Sequence, residues 1–434
     1  MDTVEPAAAR PRAAIVVTGS ELLTGTIADR NGPWLAGQLT ELGFQVGRLL
    51  VVGDRPADLA DALAAAAGCA LVVTSGGLGP TADDLTVECV ARFAGVPVEL
   101  DPEMYAQVNR TVAEWARLRG NVADAPLDAP LDAALEAGVR KQAMLPVGAL
   151  ALPPVGTAPG LVLRRPGGPL IVVLPGPPSE LQGMWPSVLS AAPVAELLTR
   201  VPAAAARSLR FFGLPEPVIA QTLRELAVPA DIEVITCLRR SELEVDIRPA
   251  PGLESRAAVL ADEIVARHRD QLVSADGTTT DEALARVLLD RGWFVATAES
   301  CTGGLVAARL TERPGSSAYV AGGTVAYSNA AKVSQLDVPA ETLAAHGAVS
   351  PQVARALADG ARQRFGAAVA VGITGIAGPD GGTANKPVGY VCLCVTTDDG
   401  AVLARDPVLR GDRAQIRERA TDLAMHLLWQ AGRR

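Results

Sequence analysis

The sequence predicts an α/β protein: two doubly wound α/β domains joined by a small α+β connector domain. Short apolar runs alternate with amphipathic stretches in residues 13–190 and again in residues 280–434, the rhythm of parallel strands with crossover helices. Residues 207–271 carry two adjacent runs of alternating polarity instead, the pattern of an antiparallel hairpin.

In the first domain, residues 13–17, 49–52 and 71–74 read as strands, and 34–42, 58–67 and 82–93 as helices. A late strand at 170–174 is stopped by Pro175-Gly176-Pro177-Pro178, after which Ser179 is placed to cap a helix. In the connector, residues 232–238 and 242–248 flank Arg239-Arg240-Ser241 as a hairpin. Leu243, Val245 and Ile247 face inward and Glu244, Asp246 and Arg248 outward, with no chemistry legible among them. The last domain has strands at 294–297, 324–327, 368–373 and 390–395. Its closing helix, 413–429, puts Ile416, Ala420, Leu423, Leu427 and Leu428 on one face. Residues 1–12, acidic, Pro/Ala-rich and without an apolar leader segment, read as a disordered tail.

A net charge of -9 argues against a dedicated nucleic-acid or anionic-membrane binder. Aromatics at 3% leave the cores to Ala, Val and Leu. The cysteines have no paired metal-ligand spacing. Cys392-x-Cys394 lies in a strand-like run read as placing its thiols on opposite faces, so zinc is not expected. Reduced thiols and the lack of a membrane-length apolar run predict a soluble, cytoplasmic protein.

The most informative stretch is Ala296-Thr297-Ala298-Glu299-Ser300-Cys301-Thr302-Gly303-Gly304, between an apolar run and the helix-like 305–310. A hydroxyl at such a junction meets free backbone N–H groups and the positive helix end, suited to an anion or an oxyanion. The competing reading is a plain N-cap. Three further loops follow or lead into strands: Tyr327-Ser328-Asn329-Ala330-Ala331-Lys332, Thr374-Gly375-Ile376-Ala377-Gly378-Pro379-Asp380-Gly381-Gly382-Thr383, and Lys386-Pro387-Val388-Gly389. In parallel α/β sheets, loops at the carboxyl ends of strands converge on one site.

On these four motifs, residues 280–434 resemble the C-terminal domain of the competence/damage-inducible CinA family, which is similar to nicotinamide mononucleotide deamidases. The resemblance implies hydrolysis of the carboxamide of nicotinamide mononucleotide to nicotinate mononucleotide and ammonia, with no cofactor. It maps the nucleophile onto Ser300 and the base onto Lys332, with Tyr327 relaying or orienting the proton. Backbone N–H groups near Thr302 and Gly303 are then oxyanion donors. Glu299 orients the site, and Asn329, Thr374, Gly375, Gly378, Gly381 and Gly382 line the substrate. Lysine serves as a base only if its surroundings depress its pKa. The rival readings are a solvated Lys332 and a Cys301 nucleophile. His346 precedes a turn, so a Ser-His-Asp triad is not expected.

In the first domain, Gly76-Gly77-Leu78-Gly79-Pro80-Thr81 follows a strand, and Thr81 and Asp84 have capping-box spacing. Glycines before a helix make a phosphate cradle, and Asp83 and Asp84 are candidate metal ligands, against a reading as ordinary helix capping. With Thr18-Gly19-Ser20-Glu21, Asp29-Arg30-Asn31, Arg140-Lys141-Gln142, residues 154–160 and Leu174-Pro175-Gly176-Pro177-Pro178, residues 13–190 resemble the molybdopterin-binding-like domain of the same family. That resemblance implies a metal-dependent ADP-ribose pyrophosphatase using Mg, Mn or Co, with potassium as a further cation, and a homodimer. Gly19, Asn31, Gly76, Gly77, Gly79 and Thr81 are its binding residues, with Glu21 and Asp29 as secondary metal candidates. Residues 120–138 read as an extended insertion, and Val139 stands where the family usually carries Asn. Two alternatives stand beside this reading: a non-catalytic nucleotide- or pterin-binding regulator linked to competence or DNA damage, and a molybdenum-cofactor enzyme.

Overall fold

The computed structural model describes residues 10–118, 133–202 and 206–434, which fall into two compact units divided at residues 205/206. The expected tail lies mainly outside the described residues, and Arg12 already opens the first strand. Of the expected insertion, residues 120–132 are likewise outside, and 133–138 belong to the helix Ala133–Gln142.

In the first unit the strands are β1 (Arg12–Thr18), β2 (Gln45–Val52), β3 (Leu71–Ser75), β4 (Val98–Leu100), β5 (Met144–Pro146), β6 (Leu150–Leu152), β7 (Gly160–Arg164) and β8 (Leu170–Leu174). The main sheet has the order β2-β1-β3-β8-β7-β6. Its first four strands are parallel, and β7 and β6 add an antiparallel edge. Alternation along β1 feeds two cores. Ala13, Ile15 and Val17 pack with Leu35, Leu181 and Trp185, and Ala14 and Val16 with Leu63 and Val90. The third expected helix begins at Thr86 rather than residue 82, so Asp83 and Asp84 lie in the loop before it. Ser179 is no cap, because Pro177 holds that position and Pro178 opens the helix Pro178–Ser190.

The second unit contains both the connector and the C-terminal domain. The connector strands β9 (Arg207–Phe212), β10 (Ile232–Arg239), β11 (Glu242–Pro249) and β12 (Leu272–Ser274) form the antiparallel order β10-β11-β9-β12. Leu243, Val245 and Ile247 face its core, while Glu244, Asp246 and Arg248 are half-buried rather than in open solvent. The sheet continues past residue 271, through β12.

The C-terminal sheet comprises β13 (Val295–Glu299), β14 (Val320–Val325), β15 (Val369–Gly375), β16 (Val391–Thr397) and β17 (Val402–Arg405), in the order β14-β13-β15-β16-β17. β14, β13 and β15 are parallel, whereas β16 runs antiparallel to β15. The doubly wound expectation therefore holds for the parallel half of each large sheet and gives way to antiparallel strands at one edge. Gly372 lets the helix Pro351–Phe365 lie directly on β15, where a Cβ would stand 2.1 Å from the Ala354 carbonyl. Cys392 and Cys394 share one face of β16, both packed on Ala354 and Ala358. The opposite-face reading is corrected by the two-residue period of a strand. Among the described residues, no helix is long and apolar enough to cross a membrane.

Candidate active sites

Four loops meet at one edge of the C-terminal sheet. Those after β13, β14 and β15 leave the carboxyl ends of parallel strands. The loop before β16 reaches the same edge because β16 enters it from the opposite direction. The Ser300 amide donates to the Ile373 carbonyl at 3.0 Å, docking the turn after β13 onto β15.

β14 stops at Val325, two residues short of the expected end, which leaves the carbonyls of Ala326 and Tyr327 outside the ladder. Ser328 then caps the helix Asn329–Leu336, its Oγ accepting from the Ala331 amide at 3.1 Å. Helical side chains lean toward the N-terminus, so Lys332 reaches back across its own first turn. Its Nζ donates to Ala326 O at 2.9 Å and Tyr327 O at 3.0 Å and lies 3.1 Å from Ser300 Oγ. The lysine is 1% exposed, and burial pushes its pKa below the ordinary 10.5. Among the described residues no carboxylate pairs with it. A neutral amine has two N–H donors and one lone pair, which matches two carbonyls and one hydroxyl.

Cys301 is not a thiolate: burial drives its pKa up to about 12. Glu299 does not line a substrate space either, being fully buried. Its carboxylate accepts from the amides of Gly304, Val306 and Ala307 at 3.0, 3.1 and 2.8 Å, clasping the start of the helix Leu305–Thr311. Tyr327 meets Lys332 only through its carbonyl. Its exposed ring puts the phenol 3.1 Å from the Arg413 guanidinium, which corrects the relay role.

Thr302 is fully buried, its Oγ1 without a partner among the described residues, and Thr374 Oγ1 donates to the Ala348 carbonyl at 2.7 Å. The Gly303 amide is committed to the Ser300 carbonyl, which removes it as an oxyanion donor. Among the described residues, the amides of Cys301 and Thr302 have no oxygen acceptor. Asn329 is exposed. In the glycine loop, Gly375 packs on Cys301 and Val391, Gly378 and Gly382 pack on Val388, and Gly381 is open.

The carboxyl ends of the parallel strands in the first unit frame a cavity of about 800 Å³. Gly76 and Gly77 have φ of 102° and 66°; a Cβ would meet Thr18 O at 2.6 Å or Thr86 Oγ1 at 2.2 Å. Gly19 and Gly79 also line it. The Arg140-Lys141-Gln142 motif buttresses this loop: Lys141 Nζ donates to the Thr81 carbonyl and Gln142 Nε2 to Leu78 O at 3.1 Å. Asn31 donates to Ser75 Oγ and Gly176 O, tying together the loops after β3 and β8. Thr81 is turned inward on its own loop, its amide and hydroxyl donating to Asp84.

A family model for the CinA C-terminal domain matches residues 277–431, and one described as "Probable molybdopterin binding domain" matches residues 14–195. A CinA-like protein of Mycobacterium sp. (strain JLS) is 51% identical over 97% of this chain and 98% of its own. The chain belongs to the CinA family. A CinA-like protein of Mycobacterium tuberculosis (strain ATCC 25177 / H37Ra) is 50% identical over 96% of both chains. Among solved structures, the competence/damage inducible protein CihA of Agrobacterium tumefaciens is 45% identical over 36% of this chain and 96% of that one, with a TM-score of 0.34.

Two groups in the sites of this CinA-family chain carry no sequence motif. Arg417 donates to the carbonyls of Cys301 and Thr302 at 3.0 and 2.9 Å, fixing the turn after Ser300, and Arg413 joins Gly378 O to the Tyr327 phenol. Both sit on the closing helix Arg413–Gly432, one turn apart, and that spacing is their only signal. In the first unit, Asp83 and Asp84 do not make a metal cage. Asp83 stands in solvent, its pKa lowered chiefly by Thr81, and Asp84 is held by Thr81. Among the described residues, no three acidic, histidine or cysteine side chains converge as metal ligands.

Proposed function

We propose that the C-terminal domain hydrolyses the carboxamide of nicotinamide mononucleotide to nicotinate mononucleotide and ammonia. The observation that carries this reading is the buried Lys332 amine at 3.1 Å from Ser300 Oγ, with two carbonyls and no carboxylate for company. Ser300 Oγ attacks the carboxamide carbon while its proton passes to Lys332 Nζ. The oxyanion turns to the amides of Cys301 and Thr302, the donors of the turn not committed to an oxygen. Collapse expels ammonia with the proton from Lys332 and leaves an ester on Ser300. Water, deprotonated by Lys332, cleaves that ester and restores the serine. Arg417 keeps the turn rigid through both steps, and the 375–382 loop lines the ribose and phosphate. Ammonia release by the full chain tests the reading beside Ser300→Ala and Lys332→Ala. Loss in both variants, with circular dichroism unchanged, is expected. Full activity in Ser300→Ala would overturn the nucleophile, and a folded but silent wild type the reaction.

A second reading rests on the cavity of the first unit, whose glycine amides suit a phosphate group: hydrolysis of ADP-ribose at its diphosphate. With no protein cage, a divalent cation enters here only with the diphosphate, and no step is assigned to it. Binding of ADP-ribose without turnover would favour the regulatory alternative.

A further inference from the structure

The first-unit cavity is strongly acidic. Glu21, Asp29, Asp54, Asp83, Asp84 and Glu180 line it, with Arg30 as its guanidinium. Their surroundings separate them. Asp29 accepts from the amides of Asn31 and Gly32, Asp54 from the amide and hydroxyl of Ser20, and Asp84 from Thr81. Glu21 and Asp83 stand in solvent.

Glu180 is different. It is half-buried in the first turn of the helix Pro178–Ser190, and among the described residues its carboxylate has no donor and no cation. Burial alone raises its pKa above the ordinary 4.5. Its seat is made by Gly156, where a Cβ would stand 2.2 Å from the Glu180 carboxyl carbon. Thr18 and Asn31 also line the cavity, on side chains more than nine-tenths buried, and among the described residues Thr18 Oγ1 and Asn31 Oδ1 have no partner.

We propose that Glu180 is the proton-transfer group of this cavity, taking the proton from the water that attacks a diphosphate-bridged nucleotide seated on the Gly76–Gly79 backbone. The water oxygen bonds to one phosphorus, and the bridging P–O bond breaks. The leaving phosphate departs with the bridging oxygen and its electron pair. Glu180 gives its proton to that phosphate or to solvent, so two monoesters are formed for one water consumed. The assignment rests on the diphosphatase reading of the first unit.

The test uses the full chain with ADP-ribose and saturating Mg²⁺, Mn²⁺ or Co²⁺, following AMP release across pH. Wild-type kcat is expected to rise with pH through a carboxyl pKa above 4.5. Glu180→Gln should lower kcat by about 100-fold or more and abolish that limb, while calorimetric binding of ADP-ribose stays within about threefold. Gly156→Ala, which crowds the carboxylate without removing it, should lower kcat in the same direction. Turnover in Glu180→Gln within about threefold of wild type, with its acid limb intact, would overturn the assignment and leave the diphosphatase reading standing. A wild type that binds ADP-ribose but releases no AMP would overturn both.

Discussion

On the proposed readings, the two sites of this chain activate an oxygen for hydrolysis with opposite amounts of preassembly. At Ser300 the nucleophile, the base and the partners of that base are all supplied by the protein and are already in contact before any substrate arrives. In the first unit the backbone cradle is formed, but among the described residues the carboxylates do not converge. Desolvation explains the difference. A single amine can be buried neutral against two carbonyls, whereas several carboxylates cannot be brought together without a cation to offset their repulsion. The C-terminal site is therefore expected to be stiff and self-contained, and the N-terminal cavity to depend on what enters it.

The largest effect that would break this contrast is at the base. Lys332→Arg places a permanent cation there that cannot release its proton near neutrality, so ammonia release is expected to fall roughly 1,000-fold. Because wild-type Lys332 must be neutral to act and its pKa is lowered, kcat/KM should rise with pH through a value below 10.5. An activity flat from pH 5 to 10 would contradict a lysine base.

The next effect separates the units by acid. His426, stacked on Phe212 at 3.8 Å, has its pKa lowered to about 4 by burial and then by Arg405 and Arg433. The unfolded chain binds this proton near pH 6.5 and the folded chain only near 4, so stability is lost as pH falls through that window, by about 3 kcal/mol at most. His426→Phe should flatten the acid limb of the second unit's thermal unfolding and leave that of the first unit unchanged.

Glu299→Gln probes preassembly directly. An amide cannot accept three backbone N–H bonds as a carboxylate does, and we expect about 2 kcal/mol of destabilisation. Turnover should fall about tenfold, since the Ser300 turn begins at this residue. Unchanged turnover would mean that the turn is held by Arg417 alone. The smallest effect belongs to the other site. Gly77→Ala forces a Cβ onto Thr86 at φ 66°, costing about 1–2 kcal/mol. It should weaken ADP-ribose binding in calorimetry while ammonia release is untouched.

The strand, loop and helix order was readable because apolar alternation and glycine punctuation are local. So were Ser300, Lys332 and the glycine loops, through their motifs. How Glu299 orients the site was not readable, because the identity of its partners, the amides of Gly304, Val306 and Ala307, depends on how the turn closes. Tyr327 was misread because a phenol near a lysine in sequence says nothing of which way it points. Arg417 carried no signal of its own in the sequence, since the carbonyls it holds lie 115 and 116 residues away.

By itself the sequence determined the family, the α/β layout and the four loops that carry chemistry, because sterics and hydrophobic period act over a few residues. Tertiary structure decided which groups in those loops are chemically free. It buried Lys332 and lowered its proton affinity, raised Cys301 out of use, spent Asp84 and Asp29 on backbone amides and, among the described residues, left Glu180 without a donor. Proton affinity depends on burial and partners, and both are set by segments far apart in the chain.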